Sequence, residues 1–216
     1  MWTLEGFDTA DPETATGVLT ACCASRAWAE KVATGRPYGT FAALRAAALA
    51  GFDELDDAEV AVAHAAHPRI GGPPGGTPGP GAPADSRPGA GRPSATGAAD
   101  APARAGRPAG SGRPAAAPPG STEAEWSRSE QSRAMTAGDA VKAELAAANA
   151  AYERRFGRVF LICATGLTAE EILAEARRRL ANDDATERAE ARAELRRIVA
   201  LRLAKAFGAE TPGEAR

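Results

Sequence analysis

Three side chains far apart in the sequence could together work on a small anion: an imidazole, a carboxylate and a guanidinium. The imidazole is His67, one of only two histidines, in Ala66-His67-Pro68-Arg69-Ile70-Gly71. Pro68 disfavours helical geometry for the residue before it, so an apolar helix through Val60, Val62 and Ala63 is predicted to end at about His67. At a helix C-terminus the macrodipole favours the cationic ring by a few tenths to about 1 kcal/mol, which would make His67 a general acid near neutral pH. The same residues also read as a histidine that caps a helix and does no chemistry. The guanidinium is Arg202. At about 100° per residue, Leu195, Ile198, Val199, Leu203 and Ala206 share one helix face, and Arg202 falls in its middle. A cation in an apolar seam is costly unless paired, so a buried Glu, a group of carbonyls or an anionic ligand is required beside it. The carboxylate is Glu130, in Ser127-Arg128-Ser129-Glu130-Gln131, where Ser-x-x-Glu also has the form of a helix capping box.

Other chemistries leave no trace. There is no phosphate-binding Walker loop, dinucleotide glycine fingerprint, paired Cys-x-x-Cys or nucleophile elbow. His64 and His67 are three apart with no third ligand at metal spacing, so no metal site is predicted. The net charge of −2 gives no basic surface for nucleic acid. No apolar run approaches the roughly 18 residues that cross a bilayer. Met1-Trp2-Thr3-Leu4-Glu5 carries neither a basic region nor a long apolar stretch, and Cys22, Cys23 and Cys163 make no disulfide framework. A cytoplasmic protein with reduced thiols is the expectation.

The elements that must position these groups are short, Ala-rich and helical. Asp11-Pro12 opens a helix through Ala15, Val18, Leu19 and Cys22. Ser25 opens one with Trp28 and Val32 that stops at Gly35. After the turn Arg36-Pro37-Tyr38-Gly39, Thr40 caps a helix predicted to end at Gly51, and another runs from about Asp53 to Ala66. Later, a long helix follows Gly138-Asp139 and stops at Gly157, Thr168-x-x-Glu171 is a capping box, and Asn182-Asp183-Asp184 starts the last and longest helix, closed by Gly208. Val159-Phe160-Leu161-Ile162-Cys163-Ala164 is the one continuous apolar run rich in β-formers, and no other stretch offers it a partner strand. It is predicted to cross the core as an extended segment or a short helical turn, its backbone groups needing partners, a ligand among the possibilities.

Between the halves, residues 71–120 hold 13 Gly, 12 Pro and 13 Ala, a composition that cannot bury enough apolar surface to offset chain entropy. The fold class that follows is all-α, a single compact multi-helix domain formed by 1–70 and 122–210. A long disordered Pro/Gly/Ala-rich loop over 71–121 interrupts it, and 211–216 is a flexible tail.

His67-Pro68, Ser127-x-x-Glu130-Gln131, Asn149-x-x-Tyr152-x-x-Arg155-Phe156-Gly157-x-x-Phe160-Leu161-Ile162-Cys163-Ala164 and Leu201-Arg202-Leu203, with Trp28 and Arg36-Pro37-Tyr38 before them, occur in one order. In these motifs the sequence resembles the 2-oxo-4-hydroxy-4-carboxy-5-ureidoimidazoline (OHCU) decarboxylases of urate degradation, over nearly all of the chain outside 71–120. The resemblance implies an all-α carboxy-lyase that needs no cofactor, usually a homodimer, whose product is (S)-allantoin. It implies His67 as proton donor, with Glu130 and Arg202 as its catalytic partners. It implies substrate contacts from Pro68, Ser127, Arg128, Ser129, Gln131, Phe160, Leu161, Ile162, Cys163 and Ala164. Two departures stand out: the 71–121 insert is longer than the family's usual connection, and Ala164-Thr165-Gly166 replaces a segment that is often more basic in relatives. The competing readings are a non-catalytic helical scaffold and a decarboxylase of a different ureido or imidazoline acid.

Overall fold

The computed structural model describes residues 1–71, 126 and 138–209. Among them are eight α-helices and no strand: α1 (Leu4–Thr9), α2 (Pro12–Cys22), α3 (Arg26–Thr34), α4 (Phe41–Asp53), α5 (Asp57–Ala65), α6 (Asp139–Phe156), α7 (Ala169–Arg179) and α8 (Asp184–Phe207). The all-helical class read from the sequence is the observed one. The predicted insert at 71–121 and tail at 211–216 lie, apart from Gly71, outside the described residues.

Most helix starts are set by single side chains. Asp11, Ser25, Thr40, Asp56 and Asp183 each accept a hydrogen bond from the backbone N–H three residues on, and Thr168 and Glu171 form a reciprocal capping box. Gly157 (φ 67°) and Gly208 (φ 64°) end α6 and α8 in the left-handed conformation. Three boundaries differ from the sequence reading. Thr3 caps a short α1 that the pattern did not show. Gly51 does not end α4; it keeps helical backbone beside the indole of Trp28, whose Nε1–H donates to the Ala48 carbonyl at 2.8 Å. The next helix therefore starts at Asp57 under an Asp56 cap. Arg192 donates from Nη2 to the carbonyls of Phe52, Asp53 and Leu55 and so closes the end of α4.

The core has two parts. The larger joins Phe7, Leu19, Trp28, Leu44, Phe52, Ala63, Leu195, Val199 and Leu203 from α1 to α5 and α8. The smaller joins Ile70, Leu145, Tyr152, Ile172 and Ala176, on and around α6 and α7. Val159–Ala164 runs between them without regular structure. Leu161 and Cys163 turn into the larger cluster, while Phe160, Ile162 and Ala164 turn into the smaller. Alternation at every second residue is the period of an extended chain, so the predicted buried extended segment is found, and it is the seam of the molecule.

Candidate active site

His67 follows the last turn of α5, in the chain between Ala63 of the larger cluster and Ile70 of the smaller, and is 3% exposed. Its Nδ1 is 2.9 Å from the carbonyl of Ala63, an orphan of the last turn of α5. A carbonyl only accepts, so Nδ1 carries the hydrogen and the neutral ring's lone pair is at Nε2. Nε2 is buried and, among the described residues, has no hydrogen-bond partner. Capping thus occupies one nitrogen and leaves the other for chemistry.

The electrostatics differ from the sequence reading. Burial, and after it the nearby Arg202 guanidinium, push the His67 pKa down to about 3. A helix-end dipole, at about 1 kcal/mol, is too small to offset full desolvation of the cation. The resting imidazole is neutral. Arg202 itself is fully buried on α8, as its place in the apolar face predicted. Pro68 is half-buried beside His67.

The seam segment is fixed by three polar side chains from three helices. His64, one turn before His67, donates from Nε2 to the Val159 carbonyl at 2.9 Å; burial above all holds its pKa down at about 4, so it too is neutral. Arg179, at the end of α7, donates from Nη1 to the Leu161 carbonyl at 2.7 Å. Glu194, on α8, accepts from the N–H of Cys163 at 3.0 Å. Arg179 is fully buried and paired with the equally buried Glu187. Tyr152 and Asn182 also donate to that carboxylate, and the guanidinium lies 5.0 Å from the centroid of the Phe160 ring. Asn149, on α6, donates to the Ile70 carbonyl at 2.8 Å, and its buried Oδ1 has no partner among the described residues.

Of the predicted site residues, the structure buries His67 near Arg202, with Pro68 next to it in the chain, and 160–164 form the seam segment, whose Val159 end is tied to α5 by His64. Ser127, Arg128, Ser129, Glu130 and Gln131 lie outside the described residues. Trp126, immediately before them, is half-buried against the larger cluster. Arg179, Glu187 and Glu194 were not singled out from the sequence, where His64 was weighed only as a metal ligand and Asn149 named only within a family motif. The one available signal was the need of the 159–164 backbone for partners.

The chain was compared with known proteins. A family model described as OHCU decarboxylase matches residues 8–91 and 112–204, leaving unmatched within that span only part of the predicted insert. The chain is 28% identical over 187 residues to the uric acid degradation bifunctional protein TTL of Arabidopsis thaliana, covering 86% of this chain and 45% of that protein. It is 44% identical over 81 residues to a 2-oxo-4-hydroxy-4-carboxy-5-ureidoimidazoline decarboxylase of Amia calva, covering 36% of this chain and 45% of that protein. The alignments thus span under half the length of both curated relatives. The fold is similar to a crystal structure of OHCU decarboxylase in the presence of (S)-allantoin, with a TM-score of 0.60 and 23% identity over 92% of this chain and 99% of that one. It is also similar to a crystal structure of (S)-allantoin synthase, with a TM-score of 0.58 and 14% identity over 95% of this chain and 54% of that one. The family match covers most of the sequence and includes the positions of His67 and Arg202, and on that ground the chain belongs to the OHCU decarboxylase family.

Proposed function

We propose that the protein decarboxylates OHCU to (S)-allantoin without a cofactor, and that His67 delivers the proton. The observation that carries this is the buried Nε2 of His67, without a partner among the described residues, on a ring held at Nδ1 and with a buried guanidinium nearby. Loss of carbon dioxide from the substrate carboxylate leaves an electron pair on the ring carbon, spread over the conjugated carbonyl and imine, and consumes one proton. A neutral His67 must first gain that proton, taken from solvent as the substrate binds. An anionic substrate supplies the negative charge that offsets both causes of its low pKa, desolvation and Arg202. The imidazolium then protonates the carbanion from Nε2, on one face only, so a single enantiomer forms. Arg202 supplies charge for an anionic oxygen, Glu130 orients substrate N–H groups, and Pro68, 127–131 and 160–164 surround the ring. Positioning and fixed charge carry the rate, since no electron sink beyond the substrate is needed. The homodimer, the cytoplasmic setting and the assignment of 1–70 and 122–210 to one domain belong to this proposal.

The test is circular dichroism of a coupled reaction that generates OHCU from urate in place. Wild-type protein is expected to produce one allantoin enantiomer quickly, and His67→Asn to fall to the slow racemic background while keeping its helical spectrum. Rapid one-handed product from His67→Asn would remove His67 from the mechanism, and background rate from the wild type would overturn the function.

A further inference from the structure

The backbone groups of the seam segment held by side chains are the carbonyls of 159 and 161 and the N–H of 163, while the Ala164 carbonyl at its end accepts from the Leu167 N–H at 3.0 Å. In an extended chain the N–H and C=O of one residue point to the same side, and those of the next point to the other. All three held groups belong to odd-numbered residues and so lie along one edge. The N–H and C=O of Phe160 and Ile162 lie along the opposite edge. Both residues are at most 9% exposed, and among the described residues neither backbone makes a hydrogen bond. Buried backbone groups are nearly always paired. The segment therefore has one edge clamped and, at Phe160 and Ile162, one edge unpaired among the described residues, and its start is held by His64, three residues before His67.

We propose that His64, Arg179 and Glu194 are positioning residues for the reaction. Their three helices grip one edge of Val159–Ala164 so that the N–H and C=O groups of Phe160 and Ile162 meet the ureido and ring amide groups of the substrate in register. This rests on the function proposed above. Amide-like donors and acceptors on a small planar acid are complementary to such an edge in the way one strand is complementary to another. His64 has a second consequence. It sits one turn before His67 on α5, so the segment that holds the ring and the group that protonates it are tied to the same helix. Without the tie the two can drift relative to each other, and misplacement of about 1 Å costs on the order of 10²-fold in rate.

The test uses two pairs of variants in the full chain. His64→Gln keeps an amide donor near the Nε2 position, and His64→Leu removes it. Glu194→Gln keeps an acceptor for Cys163, and Glu194→Leu removes it; this site is near the surface and is the safer of the two for folding. In the coupled assay the leucine variants are expected to lose 10- to 100-fold in kcat/KM, and the glutamine variants to recover most of that loss. Peptide-level hydrogen exchange is read in parallel, independent of turnover. The leucine variants should exchange faster within 159–164 and stay protected elsewhere in the core. Wild-type kcat/KM in a folded Glu194→Leu would overturn the proposal. So would unchanged exchange in 159–164, even if the wild type proves to act on another acid. Local loosening in a protein that does not decarboxylate OHCU would support the clamp and count against the function instead.

Discussion

Acidification from pH 7 to pH 5 should destabilise the protein through its two histidines. Each ring titrates at about 6.5 when unfolded, and burial moves His64 to about 4 and His67 to about 3. Between those limits the unfolded chain binds two more protons than the native one, so stability falls as pH falls. With unfolded values near 6.5, each histidine costs about 2 kcal/mol on going from pH 7 to pH 5, so the pair costs about 4 kcal/mol. The carboxylates with depressed pKa values behave with the same sign but lower down. Asp11 and Asp183 start from 3.8 and Glu175 and Glu190 from 4.5, so their contributions are lost mainly below pH 5. Urea unfolding at pH 5, 6 and 7 measures the slope directly. His67→Asn and His64→Gln, which cannot titrate, should each show about half the wild-type loss, a difference of about 2 kcal/mol. A His67→Asn slope equal to that of the wild type would mean that His67 is not held neutral. The proton-gain step drawn for it would then be wrong.

The buried ion pair under Phe160 gives an effect of similar size. Arg179→Met leaves Glu187 buried without its cation and should cost about 3–5 kcal/mol, and Arg179→Met combined with Glu187→Leu should recover part of that; a double variant at least as unstable as the single would refute this. Gly157→Ala places a Cβ in open space but at φ 67°, so only backbone strain is added and a loss of about 1 kcal/mol is expected. Gly17→Ala, also in open space but inside α2, should gain about 0.5–1 kcal/mol, and thermal midpoints that fail to separate the two would refute the assignment of strain to Gly157.

How much of this was legible in the sequence follows how local each feature is. Asp11, Ser25, Thr40, Asp183 and the Thr168–Glu171 box act within one turn of chain, so their helices could be read directly. His67 and Arg202 were legible because each conflicts with its surroundings, an imidazole before proline and a cation on an apolar face. Arg177, Arg178 and Arg179, by contrast, are one run at a helix end, and nothing local says that the third is fully buried while the first two stay in water. That depends on the seam segment crossing over it. Nothing local marks Arg192 either, its acceptors being some 140 residues away. The charge of His67 was misjudged because a helix dipole can be read from sequence and desolvation cannot.

The three grips on the seam span very different lengths of chain. Arg179 reaches Leu161 across 18 residues and Glu194 reaches Cys163 across 31, but His64 reaches Val159 across 95. Closing the longest loop costs on the order of 1.5 kcal/mol more entropy than closing the shortest. The C-terminal helices can therefore shape the segment early in folding, whereas α5 and its histidines join only when the distant half arrives. A partly folded chain could hold the 159–164 edge in shape yet lack the acid beside it, so competence for the proposed reaction coincides with completion of the fold.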